Sequence, residues 1–380
     1  MDFSRIGKFM DTIHERTDVP GASCVVYYKN ERVYGYSTGY ADRENGVKMN
    51  GGELYNMYSM TKPITCTAAL QLYERGMFRL ADPLYYYIPE FKDMTYRKKI
   101  DGKEEILPCK NHIMIEDLFT MSAGLNYNLN APALEEVKAK TGGKTPTVEA
   151  IRALAKEPLD FEPHTHFQYS LCHDVLGALI EILTGEKFAD YMQKNIFAPC
   201  GMKETGFYID KLGRERLAAQ YRYNYDTNRS ERTDSGCAYK LGSEYESGGA
   251  GLISNVEDYA KFLKTMAAFG RTDNGEIILS KNTINLMRTN FLNDSRETEA
   301  PQYDRGYGYG LGVRTMIDLV RGGSNGSIGE FAWDGAAGSY GLIDPDKQVA
   351  MCYTQHLLGS GLTPIEHVKL RNVMYSCIYE

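Results

Sequence analysis

Ser59 and Lys62 stand three residues apart, and their types and spacing could do chemistry together. Pro63 follows directly, and an apolar run through Leu72 predicts a helix that begins near Ser59. On a helix this spacing places both side chains on one face, about 5–6 Å apart at Cβ. A serine hydroxyl becomes a good nucleophile when a neighbour takes its proton, and a desolvated lysine can do so. The pair therefore predicts a nucleophilic serine beside a lysine base.

Tyr169 is a second candidate, because it lies immediately before an apolar helical run that starts at Cys172. At such a loop-to-helix junction a tyrosine can point into a cleft. A cationic neighbour such as Lys62 would lower the pKa of its hydroxyl. Tyr169 is therefore predicted to act as a proton carrier.

A third candidate stretch surrounds the single tryptophan of the chain, Trp333, where one predicted strand ends and the next begins. Small residues such as Gly335 would let a backbone N–H approach a substrate closely. The N–H of Ala336, together with that of Ser59, is predicted to form an oxyanion hole.

Two kinds of element must position these residues. Sheet-forming sequence stands at both ends of the chain, and it predicts a hairpin and three antiparallel strands at 22–28, 32–38, 329–333, 339–343 and 349–355. Terminal helices are predicted at 3–16 and 364–378. Between the sheet regions the apolar spacing predicts helices at 115–121, 147–155, 172–183 and 188–196.

These elements predict an α/β (α+β) fold in which helices flank an antiparallel sheet, with an all-helical lobe beside it. Residues 1–75 and 205–380 would form the α/β lobe, and residues 76–204 would form the mainly helical lobe. A chain of 380 residues is long enough for two such lobes.

The composition of the chain is that of an ordered globular protein, with 43% apolar residues and 24% charged residues. A net charge of −7 without basic runs argues against nucleic acid and anionic membranes as partners. The eight cysteines include no C-x-x-C pair, so neither a zinc ribbon nor a disulfide framework is predicted. The opening residues lack the apolar stretch of a secretory signal, which predicts a cytoplasmic location.

Taken in order, Ser-x-x-Lys at 59–62, Tyr-Ser-x at 169–171 and Trp-x-Gly at 333–335 resemble the motifs of class C β-lactamase-like serine hydrolases. This family has the penicillin-binding-protein fold and includes the family VIII carboxylesterases. The resemblance runs from about residue 20 to the C-terminus, with similar stretches at 118–125, 247–252, 307–310 and 344–345.

The resemblance implies a site between the two lobes and a role for each motif. Ser59 would be the nucleophile, Lys62 and Tyr169 would share its proton, and Trp333 would line the opposite side of the site. Neither a metal nor an organic cofactor is implied, and the expected partner is a small-molecule acyl substrate.

Two positions depart from the penicillin-recognising members of this family, which generally carry Lys-Thr-Gly at the third motif to hold a substrate carboxylate. Here the stretch reads Trp333, Asp334 and Gly335, which removes the cation and adds a charge that would repel a carboxylate. Leu171 also stands where β-lactamases of this class have Asn. Both departures favour a neutral or cationic acyl substrate.

The predicted function is therefore a serine hydrolase with an acyl-enzyme on Ser59, and a carboxylesterase on small acyl esters is favoured. A β-lactamase, a D-amino-acid amidase or peptidase, and a non-catalytic acyl-binding sensor are the alternatives. Asp334 has two interpretations of its own. It either faces the cleft and binds an amine-bearing substrate, or it is a solvated turn residue.

Two further patterns could suggest other chemistry. Residues 322–326 fit G-x-S-x-G, but the nucleophile elbow requires a following helix and the next residues predict a strand, so a glycine loop around Ser324 is expected. His164 and His166, with His173 nearby, have no third ligand at a convincing spacing, so no metal site is predicted.

Overall fold

The computed structural model of the protein describes residues 1–233, 236–292 and 294–378. The strands in chain order are β1 (Gly21–Tyr28), β2 (Glu31–Asp42), β3 (Val47–Lys48), β4 (Tyr55–Asn56), β5 (Thr95–Ile100), β6 (Lys103–Pro108), β7 (Tyr221–Asn224), β8 (Arg229–Arg232), β9 (Ile253–Ser254), β10 (Tyr307–Tyr309), β11 (Arg314–Met316), β12 (Phe331–Ala332), β13 (Tyr340–Asp344), β14 (Val349–Gln355) and β15 (Leu357–Leu358). The helices are α1 (Ser4–Asp11), α2 (Ile13–Thr17), α3 (Thr61–Glu74), α4 (Ile115–Phe119), α5 (Pro132–Lys140), α6 (Thr147–Leu154), α7 (Cys172–Thr184), α8 (Phe188–Met192), α9 (Val256–Ala267), α10 (Lys281–Met287) and α11 (Thr363–Ser376).

One antiparallel sheet of eight strands, in the order β10-β11-β12-β13-β14-β1-β2-β3, joins the two ends of the chain. The C-terminal strand β14 pairs directly with the N-terminal strand β1, with Val25 opposite Cys352. The prediction of an antiparallel sheet built from both ends, flanked by helices, is confirmed.

Both faces of this sheet are covered, which explains why every residue of β1 is buried. Side chains alternate along a strand, so Cys24 and Val26 face one way and Val25 and Tyr27 the other. The first pair packs in the cluster that contains residues of α1 and α11, and the second pair packs with residues of α3 and α9. The second face is the one that carries the site.

Helix α3 lies at the centre of the molecule, and it is buried at every position from Thr61 to Leu72. A helix that is buried on all sides needs partners on all sides. Here α7 packs against it, and Tyr259 of α9 donates a hydrogen bond from its hydroxyl to the Met60 carbonyl at its start (2.5 Å). The packing therefore holds the N-terminus of α3 rigidly.

The structure differs from the predicted elements at three places. The predicted N-terminal helix is divided at Thr12, whose hydroxyl bonds back to the Phe9 carbonyl at 2.9 Å and competes with the helical pattern. The predicted strand 329–333 is reduced to the two residues of β12. Residues 76–204 also contain a hairpin, β5–β6, so this part of the chain is not wholly helical.

The hairpin carried a sequence signal, Asp101-Gly102, which favours the tight turn between two strands. Both residues have positive φ, 50° and 79°, as that turn requires. Across the strands Lys98 faces Glu105 and Lys99 faces Glu104, which are stabilising charge pairs. Among the described residues, none of the helices combines the length and the hydropathy needed to cross a membrane.

Candidate active site

Ser59 lies in a single 3₁₀ turn, Tyr58–Met60, that leads directly into α3. Its side chain is partly exposed, whereas its two neighbours are buried. Tyr58 has φ of 47°, a conformation that costs a bulky residue roughly 1 kcal/mol or more and that clusters at functional sites. The hydroxyl of Tyr58 donates to Gln220 Oε1 at 3.0 Å, and Thr61 donates to the Tyr58 carbonyl at 2.6 Å. These bonds hold the strained turn that presents Ser59.

Lys62 is fully buried, and its ammonium group donates three hydrogen bonds. The acceptors are Ser59 Oγ at 3.1 Å, the Tyr127 hydroxyl at 2.9 Å and the Gly249 carbonyl at 2.7 Å. All three acceptors are neutral groups. Burial lowers the pKa of Lys62 to about 7, although the charge of Asp174 opposes this change. Near neutral pH, Lys62 can therefore accept a proton from Ser59.

Tyr169 reaches the same site, but its surroundings differ from those predicted. Its hydroxyl accepts a hydrogen bond from Trp333 Nε1 at 2.9 Å, and Lys62 Nζ lies 4.5 Å from the centre of its ring. Burial raises the pKa of Tyr169, and hydrogen bonds with Ser59 and Trp333 oppose that rise. The prediction that Lys62 lowers this pKa is wrong, because burial dominates. Tyr169 is therefore protonated near neutral pH.

Tyr127 is a functional candidate that the sequence did not reveal. It bonds to Lys62, and its ring lies 5.6 Å from that of Tyr169 and 5.5 Å from that of Tyr239. Burial raises the pKa of Tyr127 well above its usual value. With 29 tyrosines in the chain and no motif around this one, only its contacts distinguish it.

The third motif divides between the two faces of the sheet. Trp333 faces the cleft, where its ring stacks on that of Tyr169 with centres 5.7 Å apart. Because side chains alternate along an extended chain, Asp334 points to the opposite face. There its Oδ1 accepts a hydrogen bond from Arg314 Nη1 at 2.5 Å, and its Oδ2 lies 3.8 Å from His367 Nδ1 of α11.

Asp334 is thus paired with Arg314, and 30% of its side chain stays exposed. Its role towards a substrate stays a prediction. Burial acts to raise the pKa of Asp334, but the guanidinium of Arg314 together with His367 and Arg305 keeps that pKa below its ordinary value. The sequence predicted a negative charge beside the substrate. In the structure the charge of Asp334 is paired with that of Arg314 on the other face of the sheet.

Gly335 and Ala336 follow Asp334 in the chain, and Gly335 lies close to the turn before Ser59. A Cβ on Gly335 would stand 2.5 Å from the Met57 carbonyl oxygen, so only glycine allows this approach to the turn before Ser59. Ala336 lies in a turn closed by a hydrogen bond from Gly338 N–H to the Gly335 carbonyl at 2.8 Å, and its side chain is exposed. The role of the Ala336 N–H in an oxyanion hole stays a prediction.

The competing motifs lie apart from this site. Around Ser324, the buried guanidinium of Arg371 in α11 donates to the Gly322 carbonyl at 2.7 Å, and Asn372 donates to the Gly323 carbonyl at 2.8 Å. The glycine segment is therefore anchored to α11, and turns follow it rather than a helix. His164 bonds to Asp117 and His166 bonds to Glu299, each at 2.8 Å.

A large antiparallel sheet, a buried helix that follows a serine in a tight turn and a lysine bonded to that serine define the penicillin-binding-protein class of serine hydrolases. The chain matches the model of the Beta-lactamase family over residues 6–366, and it belongs to that family. It is an enzyme of the serine hydrolase type.

Individual relatives agree with this assignment. Esterase EstB of Burkholderia gladioli is 27% identical over 389 residues, which cover 97% of this chain and 93% of that protein. The solved structure of EstCE1, a hydrolase with promiscuous acyltransferase activity, is 25% identical with a TM-score of 0.78, and the match covers 98% of each chain. Simvastatin synthase (LovD) from Aspergillus terreus has a TM-score of 0.82 at 21% identity, covering 99% of this chain and 98% of that one, and shows the shared fold.

Proposed function

We propose that the protein is a carboxylesterase that hydrolyses small, uncharged acyl esters through an acyl-enzyme on Ser59. One observation carries the proposal. The Lys62 ammonium lies 3.1 Å from Ser59 Oγ, and burial lowers the pKa of Lys62 to about 7. A lysine with this pKa is partly unprotonated at neutral pH, where it can act as a general base.

In the first half of the reaction, Ser59 Oγ attacks the ester carbonyl carbon and its proton passes to Lys62 Nζ. The N–H groups of Ser59 and Ala336 would stabilise the oxyanion. When the carbon–oxygen bond breaks, the leaving alkoxide needs a proton. In this proposal Tyr169, which is protonated and bonds to Ser59, gives its proton to the alkoxide and takes one back from Lys62.

In the second half, water replaces the alcohol at the acyl carbon. Lys62 takes a proton from the attacking water, and the acid leaves as the bond to Ser59 Oγ breaks. Ser59 then recovers its proton. The hydrogen bonds of Lys62 to Tyr127 and to the Gly249 carbonyl keep its amine directed at Ser59 through both halves.

The charges around the cleft support uncharged substrates over β-lactams, which carry a carboxylate. Trp333 occupies the cation position of the third motif, and the nearby cation, Arg314, is bound to Asp334 on the other face of the sheet. Leu171 is buried and offers no amide to a substrate. The name of the relative EstB, an esterase, agrees with this choice.

The test compares wild type with Ser59→Ala on p-nitrophenyl acetate, p-nitrophenyl butyrate and nitrocefin, with intact-mass analysis of the protein. Ester turnover and an acyl adduct that both disappear in the variant would support the proposal. Turnover of nitrocefin in place of the esters would indicate a β-lactamase. A stable adduct without turnover would indicate an acyl-binding sensor, and full activity of Ser59→Ala would contradict the site.

A further inference from the structure

Asp174 is a buried carboxylate close to Lys62 that the mechanism above does not use. It is the third residue of α7 and is fully withdrawn from solvent. Its Oδ1 accepts hydrogen bonds from Ser247 Oγ at 2.6 Å and from the Tyr245 hydroxyl at 3.0 Å. The backbone N–H of Gly249 also faces this carboxylate and favours its ionised form. Asp174 therefore binds one segment of the chain at Tyr245, Ser247 and Gly249.

The segment that Asp174 holds, residues 245–249, is the one that orients Lys62. The Gly249 carbonyl accepts from Lys62 Nζ, and the Gly248 carbonyl accepts from Thr65 Oγ1, each at 2.7 Å. The carbonyls of the segment face α3, and its side chains bond to Asp174 of α7. The segment therefore lies between these two helices.

This segment has no room to shift towards α7. A Cβ on Gly249 would stand 2.5 Å from Asp174 Oδ2 and 3.0 Å from the Tyr127 hydroxyl. A Cβ on Gly248 would stand 2.3 Å from the His173 carbonyl oxygen. Asp174 thus determines where the Gly249 carbonyl lies, and through it the direction of the Lys62 amine.

Asp174 also differs in chemistry from the other titratable groups that face Lys62, because it is a carboxyl group. Those groups in the described part of the chain are Cys66, Tyr127, Tyr169, Cys172 and His173. Burial raises the pKa of each thiol and phenol and lowers the pKa of His173 to about 3, so all of them are uncharged near neutral pH. Burial also raises the pKa of Asp174, but hydrogen bonds from Ser247 and Tyr245 and the charge of Lys62 favour its ionised form.

We propose that Asp174 is a positioning residue for Lys62: it holds the segment 245–249 so that the Gly249 carbonyl directs the lysine amine at Ser59, and it supplies a buried carboxylate beside that amine. The inference rests on the proposed function, because it assigns a role towards Lys62 acting as the base for Ser59.

The test is the pH dependence of kcat/KM for p-nitrophenyl acetate in wild type and in Asp174→Asn. In wild type, activity rises with pH as Lys62 loses its proton, with a midpoint near the Lys62 pKa of about 7. Asparagine keeps the shape but removes the charge that favours the ammonium form, so the pKa of Lys62 falls. The midpoint should move down by about one pH unit, and the plateau should fall by up to about a hundredfold because the amine is less well directed.

Two further variants separate the roles. Ser247→Ala removes one bond that holds the segment to Asp174 but keeps the carboxyl group, so the plateau should fall and the midpoint should move less than in Asp174→Asn. Asp258→Asn is the matched control, since Asp258 is also the buried third residue of a helix, α9, and bonds to Thr205 away from Lys62. It should change neither the midpoint nor the plateau. Thermal unfolding of each variant checks that it is folded.

An unmoved midpoint in Asp174→Asn would overturn the charge role, and unchanged plateaus in both Asp174→Asn and Ser247→Ala would overturn the positioning role. If Asp174→Asn does not fold, the Ser247→Ala plateau decides the positioning role. Ser59→Ala separates a failure of the proposed function from a failure of the inference about Asp174. Activity that survives in Ser59→Ala contradicts the proposed function itself, whereas an inactive Ser59→Ala with an unmoved Asp174→Asn midpoint contradicts only the inference about Asp174.

Discussion

Lys62 and Arg314 are both buried cations, with exposed fractions of 0% and 3%, yet they lie in opposite chemical environments. Lys62 faces the cleft and bonds to neutral oxygens of Ser59, Tyr127 and Gly249. Arg314 lies on the other face of the sheet, where it donates to the carboxylate of Asp334 at 2.5 Å and to the Gly341 carbonyl at 2.6 Å.

These environments shift the pKa values of the two side chains in opposite directions. Burial lowers the pKa of Lys62 to about 7. Burial also acts to lower the pKa of Arg314, but the charge of Asp334, together with Tyr340, Tyr307 and Glu330, outweighs it and raises that pKa above its ordinary value. A buried cation that bonds only to neutral groups becomes a base, and one that pairs directly with a carboxylate stays a structural charge. The charge of Asp174 favours the protonated form of Lys62, although Asp174 is not one of the acceptors to which Lys62 donates. The environment of Lys62 is therefore intermediate between a purely neutral one and a direct ion pair.

The largest expected effect is the loss of the base. Lys62→Met should lower kcat/KM on p-nitrophenyl acetate by about a hundredfold to ten-thousandfold, because general base catalysis contributes that much. Lys264→Met is the control, since Lys264 is also buried but pairs with Asp273 and contacts the ring of Tyr27. Its kcat/KM should equal that of wild type, and a similar loss in both variants would contradict the assignment of Lys62 as the base.

The same lysine should make stability depend on pH. Its pKa is about 7 in the folded protein against an ordinary value of 10.5, so the unfolded state binds more protons between these values. The free energy of unfolding should therefore fall as pH is lowered from about 10.5 to about 7. Urea unfolding across this range should show the slope in wild type and a weaker one in Lys62→Met. An equal slope in both proteins would show that other groups cause it.

Arg314→Met should show the structural role of the second cation. Removing Arg314 leaves the charge of Asp334, whose side chain is 30% exposed, without its cation, so the free energy of unfolding in urea should fall by about 2 kcal/mol. Arg214→Met removes an exposed partner of Asp210, and it should cost less than about 1 kcal/mol. Equal losses in the two variants would mean that the Arg314–Asp334 pair is not the buried structural charge described above.

Asp334→Asn should have a smaller effect, and that effect should be the same for all substrates. Because its side chain points away from the cleft, kcat/KM for a p-nitrophenyl ester of alanine and for p-nitrophenyl acetate should change by the same factor. A selective loss with the amino-acyl ester would show that Asp334 reaches the substrate after all.

Ser324→Ala should have the smallest effect. Its segment is anchored to α11 and lies apart from the cleft, so ester turnover should be unchanged and the free energy of unfolding should stay within about 0.5 kcal/mol of wild type. A large loss of turnover would revive the nucleophile elbow at this position.

Much of the fold could be predicted because its signals are local. The strands β1 and β14 are continuous apolar runs between turn residues, and α7 is an apolar run that ends at Gly185. The hairpin β5–β6 could have been found from Asp101-Gly102, but its strands are charged and largely exposed, so their hydropathy pattern is weak. The side-chain direction of Asp334 depended on where the short strand β12 ends, which the sequence did not define.

By itself, the sequence determined that Ser59 and Lys62 meet, because a three-residue spacing on a helix is a local geometric fact. The proton affinity of Lys62 required the tertiary structure. Its contacts with Tyr127 and Gly249 join residues 65 and 187 positions apart, and its burial depends on how α7 packs against α3. Distances of this kind are set by packing and are not encoded in any local pattern, so only the folded chain decided the low pKa of this lysine.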